Sequence, residues 1–236
     1  MSEHLQKEIE GLKKRTLSLS TLVEENVSRA VRAFSEKNGK LAQRVIDMDL
    51  VIDTLEIEVE EECLKILALH QPVAVDLRFI VAVLKMNADF ERIGDLAVNI
   101  AERAVALLRL PATDLAMQVD EIIEKVLAML KNSLDSLVNL DEDLARAVCA
   151  ADDDVDEFYR NMYDKVKQKI LESPTNEIID DMLQLLSIAR HLERIADHAT
   201  NIAEDVIYMI EGVIYRHQFK GKDEGGLKKS NSPETA

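Results

Sequence analysis

The sequence has few of the residues that interrupt helices or build aromatic cores. Its 236 residues include seven Gly, four Pro and no Trp, and aromatic residues make up only 4%. Sheets need frequent turns, so this balance favours long helices that pack through Leu, Ile, Val and Ala. We therefore predict an all-α protein.

Positive charge is also scarce. The chain has 29 Lys and Arg against 45 Asp and Glu, which gives a formal net charge of -16. An acidic surface repels phosphates and anionic headgroups, so neither nucleic acid nor anionic lipid is expected as a non-specific partner. Cations and basic protein surfaces are the better candidates.

The sequence predicts neither export nor membrane insertion. No stretch of about 18 uncharged apolar residues occurs, and the N-terminus lacks the apolar core of a signal peptide. The two cysteines, Cys63 and Cys149, are isolated, and such thiols are typical of buried positions in a reducing compartment. We expect a cytoplasmic protein, at most peripheral to the inner membrane, without a disulfide framework.

One acidic segment occurs twice. The sequence ERIGDLAVNIAE at 91–102 reappears as ERIADHATNIAE at 193–204. This repeat predicts an internal duplication with units of roughly a hundred residues. We assign residues 1–110 to the first unit and 111–217 to the second. The remainder, 218–236, is rich in Lys, Gly and Ser, and we expect it to be a disordered tail.

Apolar spacing and helix breakers predict six long helices. Their expected spans are about 3–37, 40–69, 72–110, 113–140, 141–173 and 175–215. Thr113 or Asp114 is expected to cap the fourth helix and Asp141 the fifth. Thr175 with Asn176 is expected to open the sixth. The third and sixth helices carry apolar seams spaced by three and four residues. These seams are Phe90, Ile93, Ala97, Ile100, Ala104 and Leu107, and Leu185, Ile188, Leu192, Ile195, Ala199, Ile202, Val206 and Met209.

The repeated segment also forms an acidic stripe on each of these two helices. Positions four apart share a helix face, so four oxygen-bearing side chains align in each copy. They are Glu91, Asp95, Asn99 and Glu102, and Glu193, Asp197, Asn201 and Glu204. No Lys or Arg interrupts them, and like charges at this spacing destabilise a helix. A bound cation would offset that cost.

The preceding helix of each unit adds two more aspartates. DLVID contributes Asp49 and Asp53, and DDDVD contributes Asp152 and Asp156, while Glu56 and Glu60 extend the first set. Each unit thus brings four carboxylates to two helices joined by a tight turn at proline. Such oxygen-only sites suit Mg, Ca, Mn or iron, whereas Zn more often recruits His or Cys. The plainer alternative is a solvated acidic face.

In the third and sixth helices the acidic stripes lie roughly 170° from the apolar seams. We therefore expect these carboxylates to point away from the bundle centre and any ion to lie near the surface. Gly94 and Ala196, next to the stripes, either let a neighbour or an ion approach or are neutral packing choices. His191 and His198 are expected to have capping, core or surface roles rather than to bind metal.

The second unit departs from the first. Tyr159, Arg160 and Tyr163 occupy the places of Glu56, Ile57 and Glu60. Two carboxylates are lost and one base is added. We predict that the second site binds fewer ions, or binds them more weakly.

No catalytic constellation is visible. The sequence has no HExxH, no glycine-rich phosphate loop and no nucleophile paired with a base, so we do not expect an enzyme. Two alternatives remain open. A carboxylate-bridged iron protein of the ferritin-like type would need Glu-x-x-His motifs, which this chain lacks. A purely structural helical scaffold would leave the acids without ligands.

With these motifs in place, the chain resembles the PhoU family of phosphate-uptake regulators over about residues 5–217. The resemblance rests on a DxxxD followed by an ERxxDxxxNIAE segment, present twice. It implies two tandem three-helix bundles, a frequent homodimer, and iron clusters on each bundle surface, with Mn, Mg or Zn as other metals. It also implies a non-catalytic regulator that, with the phosphate ABC transporter ATPase and a phosphate-sensing histidine kinase, restrains uptake and starvation signalling when phosphate is plentiful.

The resemblance also assigns residues to two sites. It implies that Asp49 and Asp53 join Glu91 and Asp95 in the first site. Correspondingly, the second site combines Asp152, Asp156, Glu193 and Asp197. Asn99, Glu102, Asn201 and Glu204 are secondary candidates for metal binding.

Overall fold

The computed structural model describes residues 3–109 and 114–214, and these residues form six α-helices and no strand. The helices are α1 (Glu3–Ser35), α2 (Gly39–His70), α3 (Ala74–Ala106), α4 (Asp114–Asn139), α5 (Glu142–Glu172) and α6 (Asn176–Glu211), with a 3-10 turn at Leu107–Arg109 after α3. The all-α prediction is confirmed. The expected tail, 218–236, and Thr113 lie outside the described residues.

Side-chain caps set several helix ends. Asn38 caps α2, Asp141 caps α5 and Thr175 caps α6, each by accepting a hydrogen bond from a backbone N–H three residues later. This is the usual role of Asn, Asp and Thr at an N-cap. The prediction for Asp141 is confirmed. The predicted start of α6 at Thr175 and Asn176 is also confirmed, with Thr175 as the cap and Asn176 as the first helical residue.

Helix α6 ends four residues earlier than predicted. Gly212 has a φ of 76°, and its backbone N–H donates to the Tyr208 carbonyl oxygen at 2.9 Å. Glycine adopts this left-handed conformation without the steric cost that a Cβ would add. The apolar pattern continues past Gly212 in the sequence, but the helix does not.

Each unit is a three-helix bundle, α1–α3 and α4–α6, and the two bundles pack on each other through α3 against α6 and α1 against α4. The predicted seams of α3 and α6 are fully or almost fully buried. One continuous apolar core therefore runs through both bundles. Cys63 and Cys149 are buried in it as free thiols, and burial raises the pKa of each to about 12.

Among the residues that the structure describes, none of the helices has a stretch long and apolar enough to cross a bilayer.

Candidate functional site

The first acidic cluster lies where α2 faces α3 and comprises Asp49, Asp53, Glu56, Glu91 and Asp95. Burial, and after it the neighbouring charges of Asp53, Asp95 and Glu91, raise the pKa of Asp49 to about 6. The contribution from like charges requires that these neighbours lie a few ångströms away. The structure thus brings together the four acids that the resemblance had grouped.

Asp49 is the innermost member of this cluster. Its Oδ1 is buried and has no hydrogen-bond partner among the residues that the structure describes. A buried carboxylate oxygen without a partner is costly, because it has lost its water and gained nothing in exchange. A hard cation would supply the missing interaction, so these residues fit a metal ion.

Glu56 and Glu91 extend the cluster towards the α2 C-terminus. The pKa of Glu56 is raised by burial and then by the charges of Glu60, Glu91 and Asp53. The Asn87 side-chain amide donates to Glu56 Oε1 at 2.6 Å and holds that carboxylate in place. Burial and Asp95 raise the pKa of Glu91, partly opposed by Arg92 and by His198.

Asn99 and Glu102 continue the same face of α3 beyond the cluster. The Asn99 side-chain amide donates to the Asp95 backbone carbonyl at 2.8 Å, and Glu102 is exposed. Within the described part of the chain, neither side chain has a hydrogen bond or ion pair to another acidic side chain. They remain secondary candidates for metal binding.

The second acidic cluster lies between α5 and α6 and comprises Asp152, Asp156, Glu193 and Asp197. Burial raises the pKa of Glu193, and Asp197, Asp156 and Asp152 raise it further, whereas Arg190 lowers it. The four acids of the second unit therefore also converge. The nearby base is shared with the corresponding residue of the first cluster, Glu91, whose pKa Arg92 lowers.

The departure at 159–163 changes the end of the second cluster. Tyr159 is half-buried against the core, and Tyr163 is 53% exposed. Arg160 Nε donates to the Asp156 backbone carbonyl at 3.2 Å. No carboxylate stands at the position that corresponds to Glu56 in the first cluster.

Asn201 and Glu204 have separate environments on α6. Asn201 Nδ2 donates to Asp89 Oδ1 on α3 at 3.2 Å, so its amide joins the two bundles. Glu204 lies near Cys149, whose thiol pKa it raises together with Asp152 after the larger effect of burial. Glu204 and the second-cluster residue Asp152 therefore lie near the same thiol.

The depth of the clusters differs between helices. Asp95 on α3 is exposed, as its position opposite the seam predicted, but Asp152 on α5 is only 7% exposed. The aspartates of α2 and α5 lie deeper because two helices enclose them. An ion would therefore lie in an interhelical groove rather than on an open helix face.

Gly94 lies beside the first acidic cluster, and the sequence alone left its role open. A Cβ built on Gly94 would lie 3.3 Å from Ile52 Cγ2 and 3.8 Å from Asp49 Oδ1. The missing side chain thus lets α2 approach α3 beside the first acidic cluster. In the second unit Ala196 stands at the position of Gly94 and Val155 at the position of Ile52. The larger Ala is thus matched by the smaller Val.

Comparisons with known proteins agree with this architecture. The family model described as "PhoU domain" matches residues 16–104 and again 119–206. A "Phosphate-specific transport system accessory protein PhoU homolog" of Aquifex aeolicus is 41% identical over 188 residues, 80% of this chain and 84% of the relative. The corresponding Pseudomonas putida homologue is 37% identical over 196 residues, 83% of this chain and 76% of the relative.

Solved structures show the same fold. The crystal structure of PhoU from Pseudomonas aeruginosa superposes with a TM-score of 0.85 at 37% identity, covering 88% of this chain and 99% of that one. The phosphate transport system regulatory protein PhoU from Streptococcus pneumoniae gives a TM-score of 0.79 at 29% identity, covering 89% and 98%. With the domain matched in both halves and four carboxylates gathered in each, the chain belongs to the PhoU family.

Proposed function

We propose that this protein is a non-catalytic, metal-binding regulator of phosphate uptake. It restrains a phosphate ABC transporter and a phosphate-sensing histidine kinase when phosphate is plentiful, and it acts in the cytoplasm as a homodimer. The observation that carries the proposal is the match of both halves to a family whose named members are accessory proteins of phosphate-specific transport systems.

The metal-binding part rests on the two acidic clusters. Asp49, Asp53, Glu91 and Asp95 would hold cations in the first, with Glu56 at its end. The second would use Asp152, Asp156, Glu193 and Asp197. Iron is the leading candidate and Mn, Mg or Zn are alternatives, because oxygen donors suit hard and borderline cations. Bound cations would supply the positive charge that offsets the repulsion between the paired helices.

The regulatory part needs a surface for partner proteins, and α2 offers one. Leu50, Ile57 and Leu64 are 74%, 54% and 52% exposed. Their spacing of seven residues places them in one row along the helix. This row, the α2 apolar stripe, has no partner within the described residues. Exposed apolar rows of this kind mark protein interaction sites.

The second unit provides a comparison for this stripe. Asp153, Arg160 and Lys167 stand at the corresponding positions of α5 and are all exposed. The apolar row is therefore specific to the first unit. It is not required by the three-helix bundle, since the second bundle folds with charged residues there.

Charge indicates what covers the stripe. Asp53 and Glu60 lie along its α3 side, and the exposed Glu61 lies within the row. A second copy of this acidic face would be repelled. The complementary occupant is a face of the transporter ATPase that carries an apolar ridge flanked by Lys and Arg.

The physiological proposal is tested by deleting the gene in a strain grown with ample phosphate. Uptake of labelled phosphate and expression of a starvation reporter are expected to rise, and the wild-type gene should restore both. Asp49→Asn with Asp95→Asn should restore them less completely. Glu121→Gln with Glu124→Gln removes the same formal charge from exposed positions of α4 and should complement fully. Unchanged phosphate physiology in the deletion strain would overturn the assignment.

The docking surface is tested separately by a pull-down of the transporter ATPase at low salt. The variant Leu50→Asp, Ile57→Arg, Leu64→Lys carries the residue types that α5 has at these positions, and we expect it to lose the ATPase. Leu171→Lys with Leu183→Asp changes two other exposed leucines and should retain it. Equal recovery with the two variants would show that the ATPase binds elsewhere. If the wild type recovers only the kinase and the stripe variant loses it, the stripe is assigned to the kinase instead.

A further inference from the structure

Three side chains of metal-binding type meet where the start of α1 packs on the end of α2, far along the bundle from both acidic clusters. They are His4, Glu8 and His70. One possible ligand atom from each lies within 4.8 Å of the other two. His4 Nε2 is 3.6 Å from Glu8 Oε1, and His70 Nε2 is 2.7 Å from Glu8 Oε2.

Two local features position these groups. His4 and Glu8 are one helical turn apart, so they share a face of α1. His70 is the last residue of α2, followed by Gln71 in the left-handed conformation and then by Pro72. Its ring, like the Glu8 side chain, is mostly buried, with 16% and 13% exposed. Two of the three ligands are thus held in place. The side chain of the third, His4, is exposed and has room to turn towards them.

We propose that His4, Glu8 and His70 bind a divalent transition-metal ion of the zinc type. Two imidazole nitrogens and one carboxylate oxygen are the donors that Zn²⁺ prefers, and water would complete the coordination. With bonds of about 2.0 Å, a tetrahedral ion holds its donors about 3.3 Å apart. Only a small shift of His4 and His70 reaches that spacing. The ion would fasten the first turn of α1 to the end of α2.

Lys65 is the group that competes with the ion. Its Nζ lies 3.3 Å from Glu8 Oε1 and 3.2 Å from Glu62 Oε1. In the metal-free protein it supplies positive charge to Glu8. Because its side chain is 48% exposed and already has Glu62 as a second partner, it leaves Glu8 at little cost when a metal binds.

This site differs in chemistry from the acidic clusters, and Co²⁺ distinguishes the two. A tetrahedral site with nitrogen donors gives strong visible absorption, whereas oxygen-only octahedral sites absorb weakly. Titration of the chelator-treated full-length protein with Co²⁺ is expected to produce the strong band, and Zn²⁺ should displace it. Asp49→Asn with Asp95→Asn should leave the band unchanged, whether or not the acidic clusters bind metal.

The variants His4→Gln and His70→Gln test the ligands themselves. Each should weaken Co²⁺ binding more than tenfold, since even an outer-shell partner costs 10- to 100-fold. Lys65→Met should tighten binding. Zn²⁺ should raise the Tm of the wild type but not of His4→Gln. Because His4 is exposed, its replacement leaves the packed core unchanged. No strong band, or a band that survives both histidine variants, would overturn the site.

Discussion

His198 of α6 and Asp89 of α3 face each other across the junction between the two bundles, with Nδ1 of the histidine 2.8 Å from Oδ1 of the aspartate. Each side chain is only 10% exposed. The same Asp89 oxygen accepts a second hydrogen bond from Asn201. A polar contact thus fixes the register of the two long apolar seams that meet here.

Asp89→Ala is expected to lower the free energy of unfolding by about 2 kcal/mol, because it leaves the buried His198 without its partner. Asp89→Asn keeps an acceptor oxygen and should cost less. Urea denaturation followed by circular dichroism measures both. The control is Glu25→Ala, which breaks the exposed Arg29–Glu25 pair and should cost under about 0.5 kcal/mol. Similar losses for Asp89→Ala and Glu25→Ala would contradict a structural role for this contact.

Asp49→Asn should stabilise the metal-free protein at neutral pH while weakening its response to metal. Burial and three acidic neighbours raise the pKa of Asp49 to about 6 in the folded state, above about 3.9 in an unfolded chain. The folded protein therefore holds this proton more tightly. Stability from the protonated form is complete below about pH 4 and is lost as the pH rises through 6.

The measurement is Tm as a function of pH after treatment with a chelator. We expect the variant to melt higher than the wild type at pH 8 and at the same temperature at pH 3.5. Asp47→Asn, an exposed change on the same helix, should show no such dependence. If Asp49→Asn lowers the Tm at pH 8, the carboxylate is stabilising rather than strained in the metal-free protein.

The two clusters should differ in metal content. The second has Tyr159 and Tyr163 where the first has Glu56 and Glu60. A site with fewer carboxylates binds fewer ions, or binds them more weakly. Elemental mass spectrometry should therefore show a larger loss of metal from Asp53→Ala with Asp95→Ala than from Asp156→Ala with Asp197→Ala. Equal losses would reject the ranking.

Gly94→Ala should destabilise the protein by about 1 kcal/mol. The added methyl would lie 3.3 Å from the fully buried Ile52. The cost of overpacking, about 1 to 3 kcal/mol, exceeds the gain in helix propensity from Gly to Ala, about 1 kcal/mol. Ile52→Val in the same chain should restore most of the loss, since the second unit has Ala196 and Val155 there. A stabilised Gly94→Ala variant would show that α2 moves aside freely.

The helices and their ends could be predicted from the sequence because their causes are local. Apolar spacing by three and four residues indicates which face is buried, and Asn38 and Asp141 cap helices through contacts three residues away. The ends of α3 and α6 were exceptions. Helix α3 gives way to a 3-10 turn after Ala106, although the sequence predicted a helix to about residue 110. In α6 the apolar pattern runs on, and only the left-handed Gly212 ends the helix.

The convergence of Asp49 with Asp95 could also be anticipated, because a short proline turn forces α2 and α3 to run side by side and the motif occurs twice. The depth at which these aspartates lie could not be anticipated from the sequence. It depends on how closely α2 approaches α3, and that distance is set by Gly94 and Ile52 together.

Contacts between distant parts of the chain were decided by the tertiary structure alone. The sequence determined two acidic, three-helix units with apolar seams in need of neighbours, since those properties follow from residues a few positions apart. That α3 packs on α6 and so pairs Asp89 with His198, and that α1 and α2 bring His4 to His70, depends on the packing of whole helix faces. Helical periodicity is the same for every candidate neighbour, so it leaves the choice of partner and its register to the assembled core.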